Sequence, residues 1–391
     1  MTLWVLSGCA ASVIGLYDET RATAMAELPP LAADWKPHAG VRLSWPVVND
    51  AVDASVAAAG AWGTALSLGP VKIEPAFDVS SVDVSRGSCP GCIRLHAKLA
   101  GTVHWSALVA KGTVPATAEL DFDVEATAEG QADGELALRI APKAVHKASA
   151  KVGGSIALLD TAGSAIADWM ANSVVSRIPP FEIARFGAAE LPIRAARLRS
   201  DGNALGIELA LQARTGTVEL GNGPCDGFAL RLATSTLVEL ARISAFDQGP
   251  LDFDVVPEPT GLEVDGDRFR LDLRLWRLAG KGWWRDVRIE GALRLQNQRL
   301  HLDPESVEEV DHSRGAGLVD PIAVLLRGTI LRTIEDAVTH TLPAVGRERV
   351  SGVKAVARVD SIDGLGDALE VSGTLSFQET RSAEARQRDP R

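Results

Sequence analysis

Residues 156–211 read IALLDTAGSAIADWMANSVVSRIPPFEIARFGAAELPIRAARLRSDGNALGIELAL. Helical spacing gathers Leu158, Leu159, Ala162, Ile166, Trp169, Met170 and Val174 onto one stripe, so 156–178 is expected as a long amphipathic helix. Pro179-Pro180 breaks it, and a hairpin follows whose turn is Asp201-Gly202-Asn203. The same succession recurs over 318–377. Ile322, Leu325, Leu326, Ile330, Ile334 and Val338 form the helical stripe, Pro343 breaks it, and a hairpin over 353–377 is expected to turn at Asp363-Gly364. Asp363 stands 162 residues beyond Asp201, and Leu318 stands 162 beyond Ile156. One unit used twice explains the spacing, and a repeat constrains the fold before any local reading does.

Working outward, 44–59 reads as a further helix, with Ser44 as cap, Pro46 in the first turn, and Val48, Val52, Ser55, Val56 and Ala59 on one face. From 71 to 152 the period falls to two. Phe77, Val79, Val82 and Val84 alternate with polar residues, with an irregularity between Ser80 and Val82. Ile93, Leu95, Ala97 and Leu99 continue the pattern, then Leu120, Phe122 and Val124, then Leu136, Leu138 and Ile140 after a turn at Asp133-Gly134. These are half-buried antiparallel strands. In the second half Leu230, Ala233, Leu237, Leu240 and Ala241 form the counterpart of the first helix, followed by strands over 251–255, 269–276, 287–295 and 300–302. The first helices of the two halves stand about 185 residues apart rather than 162, so the first half carries about 20 more residues in its strand region. The domains expected are 41–220 and 221–378, preceded by a linker or loosely docked arm within 1–40 and followed by a charged, disordered tail, 379–391.

At 391 residues with 46% hydrophobic and 23% charged residues, the chain has material for two cores. The formal net charge of −11 argues against nucleic acid as a partner. No run of 18 apolar residues is present, so no segment reads as a membrane-spanning helix.

The order helix, antiparallel strands, long helix, hairpin, used twice, resembles the tubular lipid-binding (TULIP) superfamily. The doubled plan over 41–377 resembles its branch containing the bactericidal/permeability-increasing protein. The likeness lies in element order, not in a signature motif. It implies an α+β fold of two tandem TULIP-like domains, each a highly curved antiparallel sheet wrapped around a long helix, with a tube open to acyl chains. Elementary packing agrees, since an amphipathic helix and one-sided strands must bury their faces on each other.

Leu6-Ser7-Gly8-Cys9 resembles a bacterial lipobox, although only Met1–Val5 precede it, without a basic residue. The resemblance implies export and anchoring to the outer membrane, on its periplasmic side, through a lipidated Cys9. Cys89-Pro90-Gly91-Cys92 reads as a disulfide across a Pro-Gly turn, with a link to Cys225 as the rival; a redox centre would need a following helix, and Ile93 onward reads as a strand. The seven histidines lack ligand spacing, and no nucleophile elbow, phosphate loop or dinucleotide fingerprint occurs. No metal, cofactor or catalytic residue is therefore expected. Asp121/Asp123 and Asp252/Asp254 share a Leu-Asp-Phe-Asp-Val context and read as solvated strand faces rather than a calcium site.

Trp276, Trp283, Trp284 and Arg285 gather near the Gly280-Lys281-Gly282 turn, beside Arg277. Tryptophan beside arginine suits contact with lipid headgroups, and cation–π packing inside the protein produces the same composition. The function expected is non-catalytic: holding or moving a phospholipid, fatty acid or other acyl lipid in the cell envelope. The residues expected to line the tubes are Val48, Val52, Val56, Ile166, Trp169 and Met170 in the first half, and Leu237, Leu326, Ile330 and Ile334 in the second. The alternative is an envelope scaffold that docks another protein, with its tubes filled by side chains.

Overall fold

The structure is a computed structural model that describes residues 12–379 except 60–61, 64, 69–70, 90, 108–109, 131–135, 154–156, 178–180, 187–192, 222–225, 252–253, 298, 314–348 and 351–352. The expected sites Cys9, Cys225, Leu326, Ile330 and Ile334 lie outside the described residues, as do Asp252, Pro343 and the tail.

The chain opens with α1 (Val13–Met25), β1 (Ala39–Ser44) and α2 (Trp45–Ala59). Short strands β2 (Trp62–Gly63) and β3 (Leu66–Leu68) precede a meander of β4 (Val71–Arg86), β5 (Cys92–Ser106), β6 (Lys111–Gly130) and β7 (Leu136–Val152). Helix α3 (Ala157–Arg177), β8 (Phe181–Phe186) and the hairpin β9 (Ile193–Ser200) and β10 (Ala204–Leu211) complete the first half. The second half runs β11 (Phe228–Ala233), α4 (Thr234–Gln248), then β12 (Val255–Gly266), β13 (Arg268–Arg277), β14 (Trp283–Gln296) and β15 (Arg299–His312). It ends in β16 (Arg349–Val350), β17 (Val353–Gly366) and β18 (Ala368–Glu379).

The first meander is longer strand by strand, at 16, 15, 20 and 17 residues against 12, 10, 14 and 14. Its alternation is the one read from sequence. In β4, Val71, Ile73 and Phe77 are buried and Lys72, Glu74 and Asp78 exposed, and the register slips between Val79 and Ser81. Without that bulge Val82 and Val84 would point to solvent, because one residue of slip exchanges the faces.

The first meander belongs to a seven-stranded sheet, β2-β4-β5-β6-β7-β8 with β3 beside β4. One core joins Val48 of α2, Ala162, Ile166 and Met170 of α3, and the inward residues of β4, β5 and β6. Helix α2 lies along β4 and α3 along β7, with two strands between them in the sheet order, so the sheet must curl for both to share that core. Small residues let α3 approach closely. A Cβ at Gly163 would stand 2.8 Å from the Ala150 carbonyl oxygen of β7.

The second sheet has eleven strands and runs through both halves: β15-β14-β13-β12-β17-β18-β11-β1-β10-β9, with β16 beside β17. Its last six strands, β17-β18-β11-β1-β10-β9, are a palindrome of equivalent elements. Strand β1 pairs antiparallel with β11, Ala39 opposite Leu232 and Leu43 opposite Phe228. The two copies of the unit therefore meet edge to edge as continuous sheet. The boundary expected at 220/221 falls between β10 and β11, yet the cores trade residues across it. Ala39, Ile193, Leu209 and Leu211 of the first half pack in the core of the second, whereas Leu198 and Leu205 of the same hairpin pack in the first. Ile207 touches both cores and the smaller cluster of Val41, Val47, Phe228, Leu230 and Val371 between them.

Five local expectations differ. Leu230 and Ala233, read as part of a helix, lie in β11, and α4 starts only at Thr234. Residues 13–25 form a helix rather than a linker, capped by Ser12, whose hydroxyl accepts from Gly15 N–H. It buries only Tyr17 and Ala24, too few positions to produce a readable period. Ser44 ends β1 and spends its hydroxyl on the Gly227 N–H at 3.3 Å instead of capping α2. The second hairpin turns at Gly366-Asp367, so Asp363 and Gly364 lie within β17, opposite Glu370 and Leu369. The strand expected at 251–255 begins only at Val255 and continues to Gly266. The first hairpin turns where expected, with Asp201 Oδ1 accepting from Asn203 N and Ala204 N, each at 2.7 Å.

Candidate functional site

The expected lining residues of the first half that are described face one interior. Val48, Ile166 and Met170 are buried and Val52 and Trp169 half-buried, all packed on the same apolar cluster. The side chain of Val56 lies outside the described residues. The interior is apolar with two exceptions among the described residues. Trp105, at the end of β5, and Trp169, on α3, each bury an indole Nε1 without a hydrogen-bond partner. Trp105 stands over Gly112 of β6, where a Cβ would meet its Nε1 at 2.8 Å.

In the second half Leu237 is buried with Ala241 beneath α4, against Leu271, Leu273, Leu275 and Ile289 of the meander. The two sets of lining residues thus occupy separate cores, which the hairpin β9–β10 bridges.

The tryptophan and arginine cluster requires a correction. Of the four residues expected to touch a membrane, Trp276 is 2% exposed, Trp283 9% and Arg285 6%, and Trp284 is half-buried. Side chains so enclosed do not reach a membrane surface. The arginines stack inside the protein instead: Arg274 lies 4.6 Å from the Trp284 ring centroid and 5.6 Å from that of Trp276, and Arg285 lies 5.3 Å from that of Trp283. Asp286 holds Arg274 through two bonds of 2.7 Å. Helix α1 covers this face, with Tyr17 packing edge-on against Phe246 and Trp276. Arg214, held by the buried Glu239 at 3.2 Å, donates to the Ala24 carbonyl at 3.1 Å and so ties down the end of α1.

Beneath α1 lies a buried carboxylate that sequence reading missed. Glu258 Oε2 accepts from Trp276 Nε1 at 2.8 Å, and Arg242 approaches at 3.8 Å. Burial pushes its pKa up, against the opposing pull of the Trp276 N–H and the charges of Arg242 and Arg274. A carboxyl whose folded pKa exceeds its unfolded value contributes fully at pH below the unfolded value. That contribution is lost as pH rises through the folded value. Glu258→Gln keeps an acceptor for the indole and removes the buried charge, so it should melt about 2 °C above the unsubstituted protein at pH 8, the gap closing at pH 4. A lower melting temperature at pH 8 would show that the Arg242 pair outweighs the cost of burial.

One of the paired aspartates also differs from expectation. Asp121 faces His96, and Asp123, with none of its side chain exposed, is enclosed by Arg94, Ser88 and His146. Asp123 is therefore closed off from solvent, whereas Asp121 stays half-exposed on the outer face. In the structure Cys89 is bonded to Cys92 in the turn between β4 and β5, with Cα atoms 5.0 Å apart. Ser200 Oγ of β9 donates to the Cys92 carbonyl at 3.1 Å, which ties this turn to the central sheet. Among the described residues no group of three or more His, Cys, Asp or Glu side chains is placed to hold a metal ion, and no helix is long and apolar enough to cross a membrane.

Taken together, the chain is an α+β protein of two curled antiparallel sheets, with helices laid against their apolar faces. That is the architecture implied by the resemblance to tubular lipid-binding domains. No protein-family model matches the sequence, and no curated protein matches it either. Among solved structures it is similar to P47 of Clostridium botulinum E1, at 12% identity and a TM-score of 0.42, over 87% of this chain and 99% of that one. It is similar to P47 from Clostridium botulinum A2 at 12% identity and a TM-score of 0.39, over 86% and 97%. Lipopolysaccharide binding protein aligns at 10% identity and a TM-score of 0.33, over 88% of this chain and all of that one.

Proposed function

We propose that this protein is a non-catalytic lipid-binding or lipid-transfer protein of the bacterial envelope, exported and held at the outer membrane through a lipidated Cys9. Each half, 41–220 and 221–378, contributes one apolar interior. The reading is carried by the unpaired indole N–H groups of Trp105 and Trp169 within the first interior. A core filled by its own side chains leaves such donors unsatisfied at a cost of about 1–3 kcal/mol each. The ester or carboxyl oxygens of an acyl lipid supply the missing acceptors. The chain itself gains affinity from area, at about 25 cal/mol per Å² of apolar surface removed from water.

One observation favours the rival reading, an envelope scaffold with filled cores. The contact of Gly163 with Ala150 leaves no gap between α3 and β7 at that point. Native mass spectrometry of the protein purified from a bacterial host, followed by organic extraction, separates the two. Phospholipid or fatty acid released at a defined stoichiometry is the expected result. A polypeptide that stays bare, even after soaking in lipid, would make it a scaffold and turn attention to protein partners.

A further inference from the structure

Along one face of β13, Phe269, Leu271, Leu273 and Leu275 are buried in the second-half core. Arg277 continues that row in register, directly opposite Trp283 of β14, which belongs to the same core. Next along that face of β14 is the buried Arg285, stacked on Trp283. The leucine row therefore ends in two guanidinium groups and an indole, where Gly280 and Gly282 turn the chain at φ of 67° and 69°. Arg285 is engaged, its Nη1 3.0 Å from Glu309 Oε2. Arg277 is not. Among the described residues its side chain has no hydrogen-bond or ion-pair partner, and its Nε is buried.

Arg277 is half-buried; its enclosed Nε–H without an acceptor is costly, and the planar fork of the guanidinium matches a carboxylate or a phosphate. On a chain of net charge −11, a half-buried cation without a partner among the described residues, at the end of an apolar row, suits an anion. We propose that this end of the second-half interior binds the anionic headgroup of an acyl lipid, a carboxylate or phosphate, on Arg277, with the acyl chain running along Leu275 and Leu273. The inference rests on the lipid-binding reading and adds to it a ligand class and an orientation. The indole of Trp283 walls the site and helps to exclude water, which strengthens the charge-assisted bond.

Calorimetric titration of the full-length protein at pH 8 tests this with three probes: palmitate, 1-monopalmitoylglycerol, and inorganic phosphate. Palmitate and the monoacylglycerol share a chain and differ in headgroup charge. In Arg277→Gln one class of palmitate site should weaken at least about tenfold while monopalmitoylglycerol binding is unchanged, which also certifies the fold. Arg277→Lys, which keeps the charge, should recover part of the loss. Equal palmitate binding by Arg277→Gln and the unsubstituted protein would overturn the headgroup assignment and leave the lipid-binding reading standing. Phosphate alone binding as tightly as palmitate, and displacing it, would make this a site for free anions and overturn the assignment too. Failure of the unsubstituted protein to bind either amphiphile would remove both readings.

Discussion

Gly227→Ala should lose about 3 kcal/mol of stability, seen as a clear fall in the urea midpoint with the slope unchanged. Two costs combine. Gly227 has φ of 105°, a conformation that L side chains rarely adopt, worth about 1–2 kcal/mol. A Cβ there would also stand 2.1 Å from the Gly373 carbonyl oxygen of β18, and relieving that overlap costs about 1–3 kcal/mol more. The position matters because it lies on the seam between the halves. The Gly227 carbonyl accepts from Ser44 N at 2.9 Å while its N–H donates to Ser44 Oγ, so the residue joins the end of β1 to the start of β11. Displacing it pries apart the central strand pair, and loss should appear in both halves within one transition. Gly202→Ala is the control. It sits in the first hairpin turn with no atom near an added Cβ, and its effect should stay within about 0.5 kcal/mol. A Gly227→Ala protein as stable as that control would mean that the β1–β11 seam contributes little.

Asp123→Ala should cost about 2–4 kcal/mol at neutral pH, because it strips charge-assisted bonds from a group with no solvent access. Asp123 accepts from Arg94 Nε at 2.9 Å, from Ser88 N at 3.0 Å and from Ser88 Oγ, and His146 Nε2 lies 3.0 Å away. Burial by itself would raise the carboxyl pKa. The bonds from Arg94, Ser88 and His146 outweigh it and hold the group well below the usual carboxylate range. For a depressed folded pKa the contribution is complete above the unfolded value and drains away as pH falls toward the folded one. The stabilities of Asp123→Ala and the unsubstituted protein should accordingly converge in strong acid and differ most above about pH 5. The same carboxylate pins the segment that carries Cys89 and Cys92, so the substitution should speed reduction of that disulfide by dithiothreitol. An unchanged reduction rate would show that the bonds from Gly87 N–H to the Cys92 carbonyl and from Ser200 hold the turn without Asp123.

Neither residue was legible as important beforehand. Asp123 shares its Leu-Asp-Phe-Asp-Val context with a segment elsewhere in the chain, and on a strand its place in the alternation reads as solvent-facing. Asp123 keeps that outward place, since Leu120, Phe122 and Val124 face the core; Ser88, Arg94 and His146 closing over it are what remove it from solvent. Trp276, Trp283, Trp284 and Arg285 were legible as a cluster that allowed either contact with headgroups or stacking inside the protein, and the structure has the stacking. Composition brings tryptophan and arginine together, but only the pairing of β13 with β14 turns Arg277, Trp283 and Arg285 inward, and only α1 covers Trp276. Of the residues expected to line the tubes, Val48, Ile166, Met170 and Leu237 are buried, and their burial was readable because helical spacing marks an inward face whatever that face later meets.

The sequence by itself determined the kinds of element and their order. Alternation in β4, β5 and β6 and the stripe on α3 are properties of side chains a few residues apart, and so is the Asp201 turn, which the aspartate makes with its own neighbours. The doubled plan was readable in the order of elements but not in the 162-residue spacing of the Asp-Gly pairs, since the second hairpin turns at Gly366-Asp367. The tertiary structure decided where those elements joined: the pairing of β1, β9 and β10 of the first half into the eleven-stranded sheet of the second, the docking of α1 far along the chain, and the enclosure of Glu258, Glu239 and Asp123. Each of these depends on partners tens to hundreds of residues away, and the free energy of such contacts comes from burial and from matched hydrogen bonds. Neither exists until the chain has closed on itself.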